Sequence, residues 1–434
     1  MSDDKRESQH PERRLHILVV MLYWYPYHGP LMPIYGSLFK ELMARGHRIT
    51  MITSFPHYRT GRPETWTEFR GKFYQITDWQ GMRLIRSYVC APVFKSNKIS
   101  LVCRSLNFIS FNISSFFFAL FLAERPDVIL APSSPPLTNG LVAWAIGRIK
   151  GCQAVYNIQD LYPDMAEQAG LLKSPLTLGY MKILERFVYH VCGRLVVLSE
   201  AMRQKVVRKK VREDKVIVIP NFIDTAKIKP RSKRNAFAQK YTLEEKSAVM
   251  YAGNVGIPHG VEHVLEAAEV LKHRRDILFC IVGRGEYKDR IVELAQEKGL
   301  DNVVFPPPQP EDVVPDIWAS ADVCLVTYRK GLADCSVPSK LLAIMSSGRP
   351  SIVMADGNSE AAMMVRQAEC GLHVPPEDPY ALADAIQFLI DRPEFCSEMG
   401  QKGREWVTCH HGKEFVVSEY EKLFSNIAIQ SRFV

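Results

Sequence analysis

Several common chemistries are missing from this 434-residue chain. Its ten cysteines form no Cys-x-x-Cys pair and no Cys/His cluster, and their spacing from Cys90 to Cys409 is irregular. That pattern excludes the usual zinc sites and disulfide frameworks and fits a reducing cytosol. No apolar stretch opens the chain: residues 1–14 are polar and charged, so they read as a disordered tail rather than a secretory signal. There is no short repeat and no low-complexity tract, which excludes solenoids and fibrous arrays. The basic run Arg203, Lys205, Arg208, Lys209, Lys210, Arg212 and Lys215 comes without a recognition motif or interleaved aromatics, so nucleic acid is not an expected partner. It reads as a solvated helix face or a contact for anionic head groups.

What is present suits a globular chain. Apolar residues make up 47%, and the length exceeds what one hydrophobic core serves, so two domains are expected. The net charge of +8 is uneven. Residues 1–225 hold 30 Lys/Arg against 18 Asp/Glu, whereas residues 226–434 hold 25 against 29. A basic first half attracts phosphates, acidic sugars or an anionic membrane, unless its charges are simply scattered over the surface. From Ser105 to Ala123 no residue is charged. That length approaches a membrane span of about 20 residues. However, Asn107, Ser110, Asn112, Ser114 and Ser115 interrupt it, and it runs straight into a strand-like Val128-Ile129-Leu130. A buried or surface-docked helix explains it better.

The chain alternates short apolar runs with helical periodicity. Strand-like runs occur at Ile17–Met21, Ile49–Thr53, Val128–Ala131, Ala154–Asn157, Leu195–Leu198 and Val216–Ile219. A second series follows at Ala248–Ala252, Ile277–Val282, Val303–Phe305, Val323–Thr327 and Ser351–Met354. Continuous apolar strands alternating with helices build parallel sheets through right-handed crossovers. The expectation is an α/β protein of two doubly wound, Rossmann-like domains facing across a cleft, with ligands at the carboxyl ends of the strands. The tail at 1–14 is followed by a first domain over 15–224 and a charged, Pro230-containing linker at 225–235. A second domain spans 236–410, and a C-terminal helix at 411–434 packs back on the first.

Three loops of the second domain follow strands, carry Gly or Pro, and open helices. The first holds Gly253, Asn254 and Gly256, where glycine lets backbone approach a ligand closely. The second is Gly283-Arg284-Gly285, with Arg284 either a phosphate contact or a surface arginine. The third is Ser336-Val337-Pro338-Ser339-Lys340. Ser336 suits a helix cap and Pro338 a first turn, and free N–H groups at such a start attract anions. A cation there opposes the macrodipole, so Lys340 either awaits a bound anion or points to solvent. In the first domain, Asp160 stands at a strand end, as an acceptor-hydroxyl ligand or as a helix cap. His28 and Gly29 lie in the first strand-to-helix loop, on the same side.

These stretches together resemble retaining glycosyltransferases of family 4, whose fold is called GT-B. The likeness is nearest to the branch building bacterial surface polysaccharides, including fucosyl- and N-acetylfucosaminyl-transferases of colanic-acid and O-antigen type. It covers about residues 15–425 and rests on Arg45-Gly46-His47, Pro126-Asp127-Val128 with Ser134-Pro135-Pro136, and Asp160-Leu161-Tyr162-Pro163 with Gly170. In the second half it rests on Val218–Asn221, Tyr251-Ala252-Gly253-Asn254, Ser336–Lys340, and Gly371 with Asp378. The resemblance implies a nucleoside-diphosphate sugar donor, UDP-linked by preference, held by the second domain through Gly253, Asn254, Gly256, Arg284, Ser336, Val337, Pro338, Ser339 and Lys340. It implies transfer with retention, Lys340 and Asp160 as catalytic groups, and an acceptor side at His28, Gly29 and Asp160. The acceptor is a lipid-linked sugar or saccharide, which suits a cytoplasmic enzyme in peripheral contact with the inner membrane face. It implies no cofactor and no metal, in line with the lack of an Asp-x-Asp motif. Many members carry a Glu-x7-Glu pair whose second glutamate holds the donor ribose. Here Cys335 and Ala343 stand at those positions. The arginine and lysine that many members offer from the first loop are most nearly Asn254 and His259 here. These departures make a non-catalytic GT-B scaffold of a polysaccharide-assembly complex the alternative.

Overall fold

The run Ile17-Leu18-Val19-Val20 has no polar side to show to water, and it forms the interior of a parallel sheet with every residue fully buried. The computed structural model describes residues 14–26, 31–56, 71–90, 101–168, 174–332 and 339–430. The chain divides into two units, Met1–Ile219 with Val417–Val434, and Pro220–Val416. Apart from Arg14, the expected tail lies outside the described residues.

The first unit runs β1 (His16–Val20), α1 (Leu31–Ala44), β2 (Arg48–Ser54), β3 (Tyr74–Trp79), β4 (Met82–Ser87), α2 (Leu101–Leu122), β5 (Val128–Pro132) and α3 (Thr138–Lys150). It continues with β6 (Gln153–Ile158), α4 (Asp164–Gln168), α5 (Pro175–Val191), β7 (Arg194–Val197), α6 (Glu200–Arg208) and β8 (Val216–Val218). Its sheet has the order β3-β4-β2-β1-β5-β6-β7-β8 and is parallel except for β3. The chain steps one way from β1 to β2 and the other way from β4 through β8. Right-handed connections therefore put α1 on one face and α2, α3, α5 and α6 on the other. The β3–β4 hairpin escaped the sequence reading. β3 alternates exposed and half-buried residues at the sheet edge, and Arg83 and Arg86 break up β4. Gln80 and Gly81 turn the chain with φ of 53° and 86°, the left-handed pair that tight hairpins demand.

The second unit runs α7 (Ala236–Lys240), β9 (Ser247–Ala252), α8 (Val261–Val270), β10 (Ile277–Val282), α9 (Lys288–Glu297), β11 (Val303–Val304), α10 (Val314–Ala319) and β12 (Val323–Thr327). Then come α11 (Ser339–Ser346), β13 (Ser351–Met354), α12 (Glu360–Gln367), β14 (Gly371–Val374), α13 (Pro379–Ile390), α14 (Pro393–His411) and α15 (Lys413–Gln430). All six strands are parallel, ordered β11-β10-β9-β12-β13-β14. One core packs α8, α9 and α13 on one face through Leu265, Ile291 and Ile386. The other packs α10, α11, α12 and α14 through Ile317, Leu341, Met364 and Val407.

Residues 225–235, expected as a linker, belong to the second unit. Ile228 is buried in its core, Arg231 pairs with Asp316 at 2.8 Å, and Lys233 pairs with Asp322 at 2.5 Å. The C-terminal region is two helices, α14 and α15, and the latter joins the first unit from Val417 onward. There Glu421 accepts from Arg45 Nη1 and pairs with His47 Nε2, each at 2.7 Å, while Asn157 Nδ2 donates to Tyr420 Oη at 2.5 Å.

Candidate functional site

In the second unit the strand order reverses at β9: the chain leaves through β10 and β11 and returns at β12 on the other side. Such a switch point leaves a crevice beyond the strand ends, where loops diverge. The loop after β9 is strapped down on both flanks. Val255 N–H donates to the Arg284 carbonyl at 2.8 Å, and Gly253 N–H to Val282 at 2.9 Å. The Thr327 hydroxyl donates to the His259 carbonyl at 2.6 Å, and Arg329 N–H to Pro258 at 2.9 Å.

Glycine is what makes the strap possible. A Cβ on Gly283 would stand 1.8 Å from the Gly253 carbonyl oxygen, and one on Gly285 would stand 2.0 Å from that of Val255. Both contacts are with backbone, which cannot swing aside as a side chain does.

Lys340 enters this corner from the first turn of α11. Its Nζ donates to Tyr251 Oη at 3.1 Å and lies 4.4 Å from the centre of that ring. It also lies 3.3 Å from where a Cβ on Gly253 would be, so any side chain there would displace it. The stem of Lys340 is partly accessible, but its ammonium is enclosed, and this burial pushes its pKa down to about 7. Among the described residues no carboxylate pairs with it. His259 stands beside it. Burial first, and then the charge of Lys340, lower the imidazole to about 4. Its Nδ1 is buried with no hydrogen-bond partner among the described residues. A cation and a neutral imidazole thus converge on a glycine-lined backbone, which is the composition of an anion site.

The sequence candidates distribute as follows. Gly253, Gly256 and Lys340 share this corner, and Asn254 sits exposed at its rim, its carbonyl accepting from Tyr251 Oη at 2.6 Å. Ser339 is the exposed first residue of α11. Arg284 uses its backbone for the strap and leaves its side chain exposed. Ser336, Val337 and Pro338, with Cys335, lie outside the described residues, as do His28 and Gly29. Ala343 is buried in the core on α11. Asp160, in the first unit, follows β6; burial raises its carboxyl to about 6, and the carboxylate oxygens accept no hydrogen bond from the described residues, while its backbone carbonyl accepts from Tyr162 N–H at 3.1 Å. Among the described residues no group of three or more His, Cys, Asp or Glu converges as metal ligands would.

Tyr251 was missed in the sequence, although the hydroxyl of a fully buried tyrosine near a strand end has to find a partner. The Arg329–Glu262 pair beneath the His259 loop was missed as well. It joins the start of α8 to the loop beyond β12, which no local pattern reveals.

Comparison with known proteins decides the family. Residues 34–221 match the model for a glycosyl transferase 4-like domain, and residues 232–406 match that for glycosyl transferases group 1. The chain belongs to glycosyltransferase family 4. This glycosyltransferase is 28% identical over 375 residues to WcaI of Escherichia coli (strain K12), a glycosyl transferase assigned to colanic acid biosynthesis. The match covers 83% of this chain and 88% of WcaI. Among solved structures, sucrose-phosphate synthase from Thermosynechococcus elongatus superposes with a TM-score of 0.71 at 19% identity, covering 95% of this chain and 99% of that one. Anabaena Alr3699/HepE, solved with UDP, gives 0.70 at 15% identity, covering 95% and 100%. These likenesses identify the GT-B fold for the glycosyltransferase.

Proposed function

We propose that this glycosyltransferase moves a sugar from a nucleoside-diphosphate donor, UDP-linked by preference, to a lipid-linked or saccharide acceptor in cell-surface polysaccharide synthesis. The anomeric configuration is retained, and the enzyme works in peripheral contact with the inner membrane face. The observation that carries the donor assignment is Lys340. An enclosed ammonium with no carboxylate partner among the described residues, facing glycine backbone at the start of a helix, is stabilised by a bound diphosphate. The same charge then meets the negative charge that grows on the leaving diphosphate, so it favours the transition state over the ground state. In this scheme the helix N-terminus of α11 and the Gly253–Gly256 backbone hold the diphosphate, and Arg284 reaches it from the rim. Asp160 orients the acceptor hydroxyl, and the departing phosphate takes its proton. UDP is preferred because Alr3699/HepE is solved with UDP, and surface polysaccharide because WcaI is assigned to colanic acid.

A thermal-unfolding screen against UDP, GDP and ADP, repeated with Lys340→Ala, tests the reading. Ligand at about 100 times its Kd adds roughly 2.7 kcal/mol of stability. Stabilisation by UDP alone, lost in Lys340→Ala, supports it. Stabilisation by GDP alone overturns the choice of base. No response to any nucleotide overturns the donor site and favours the scaffold.

A further inference from the structure

In one helical layer of the first unit, the outer surface of α2, α3 and α5 is apolar, and none of these three helices carries an exposed acid. On α2, Leu106, Ile109, Ile113, Phe117 and Phe121 are exposed and recur every three or four residues, so they form one stripe along the helix. The opposite side of α2, with Asn107, Phe111, Ser115 and Ala119, is buried. This stretch is long and apolar enough to cross a membrane, yet it lies along the sheet by that buried side. On α5, Leu176, Tyr180, Ile183 and Phe187 form a second exposed stripe at the same periodicity. The two helices flank α3 on the same face of the sheet. Lys150 of α3 donates to the Leu120 and Ala123 carbonyls at the end of α2, and Trp144 packs edge-on against Phe187. Ile149 adds a further exposed apolar side chain between the stripes.

The charges on this layer have one sign. The exposed charged residues of α3 and α5 are Arg148, Lys182 and Arg186. The one acid on the three helices, Glu185, is 2% exposed and bound to Lys209 at 2.6 Å. Two neighbouring acids are paired: Glu124 with Arg48 and Arg83, and Glu167 with Lys182. Soluble surfaces rarely leave so much contiguous apolar area open. A second copy of this face would bring like charges together, and an acidic protein would meet a surface that is mostly hydrocarbon. An anionic bilayer answers both features, with acyl chains for the stripes and head groups for the cations.

We infer that the α2–α3–α5 layer is the surface by which this protein lies on an anionic membrane, with α2 and α5 in the plane of the interface. The inference names the surface behind the membrane contact proposed above and rests on that contact alone, not on the donor or the chemistry.

The test is co-sedimentation of the full chain with vesicles of phosphatidylcholine, alone or mixed with phosphatidylglycerol. Wild type, Ile113→Glu/Phe117→Glu and Tyr180→Glu/Ile183→Glu are compared, with UDP-induced thermal shift as the check on folding. All four side chains are exposed, so the variants keep their cores. Wild type should partition to the phosphatidylglycerol vesicles, and each double variant should bind them roughly tenfold or more weakly. Two results overturn the inference while leaving the membrane contact intact or replacing it. Variants that sediment like wild type move the contact elsewhere on the chain. A wild-type dimer that the same substitutions dissolve makes the face a protein interface. No sedimentation of wild type with either vesicle overturns both the surface and the contact, whatever the response to UDP.

Discussion

Binding of UDP should take up a proton at Lys340. In the free protein, burial lowers this lysine from 10.5 to about 7, and a diphosphate beside it restores the charged form. At pH 8 about one-tenth of the free protein is charged at Lys340, so binding takes up about 0.9 proton. Affinity is then constant below about pH 7 and weakens by about tenfold per pH unit above it, until the pKa of the complex is reached. The terminal phosphate of the nucleotide titrates at about 6, so the window from pH 7 to 9 reports the protein. Isothermal titration calorimetry at pH 8, in two buffers of different ionisation enthalpy, gives the proton count directly. Lys340→Met should bind UDP weakly and without proton uptake. The unliganded variant should also be more stable than wild type by a few kcal/mol at pH 7 and below, because the buried charge is gone. The sign follows from linkage: between about pH 7 and 10.5 the unfolded chain binds the extra proton, so wild type gains stability as pH rises and the advantage of the variant shrinks. A flat affinity from pH 7 to 9, or equal uptake in the variant, would refute the role of this ammonium.

Three further outcomes follow from the geometry. Gly285→Ala forces a Cβ against the Val255 carbonyl, so thermal unfolding should show a loss of about 1–3 kcal/mol, and the UDP-induced shift should fall with it. Burial alone would raise the Glu421 carboxyl, but hydrogen bonds from His47 and Arg45 outweigh it and hold the group below its usual range. Glu421→Gln should cost about 3 kcal/mol at neutral pH. In urea titrations wild type should lose that margin as pH falls below about 4.5, where the variant is insensitive. Asp160→Asn should raise stability at pH 7 by about 3 kcal/mol, since burial lifts the carboxyl from 3.8 to about 6. Transfer to the acceptor should slow by roughly a hundredfold or more, and the acidic limb near pH 6 should vanish from the rate profile.

Most of the parallel strands were legible because each is a short apolar run, several of them closed by glycine or proline, and local pattern alone reports burial on both faces; the short edge strand β14 was not read as one. The β3–β4 hairpin was not, because its residues alternate at an open edge and its charges resemble a loop. In the corner where Lys340 meets the β9 loop, the glycines and Lys340 were candidates by their place in the sequence. What holds them did not: Tyr251, Thr327 and Arg329 sit on β9, β12 and the loop beyond β12, and only the strand order brings those ends together. The stripe on α2 appeared in the sequence as a long uncharged stretch. Its partner on α5 did not, since buried and exposed apolar residues of an amphipathic helix look alike until the sheet fixes which side faces in. Ile228 shows the opposite error, in which a charged, proline-bearing stretch concealed one core residue that ties it to the second unit.

The division of α15 sets an order of events during synthesis. The polypeptide that completes the first unit, from Val417 on, is translated only after the whole of the second. Until then β6 lacks the Tyr420 contact to Asn157, and Arg45 and His47 lack Glu421. The unit encoded first is therefore completed only after the second has been made, when its sealing helix emerges. A ribosome stalled anywhere before that point holds a first unit whose α1 face is still open, the form on which a chaperone has most to cover.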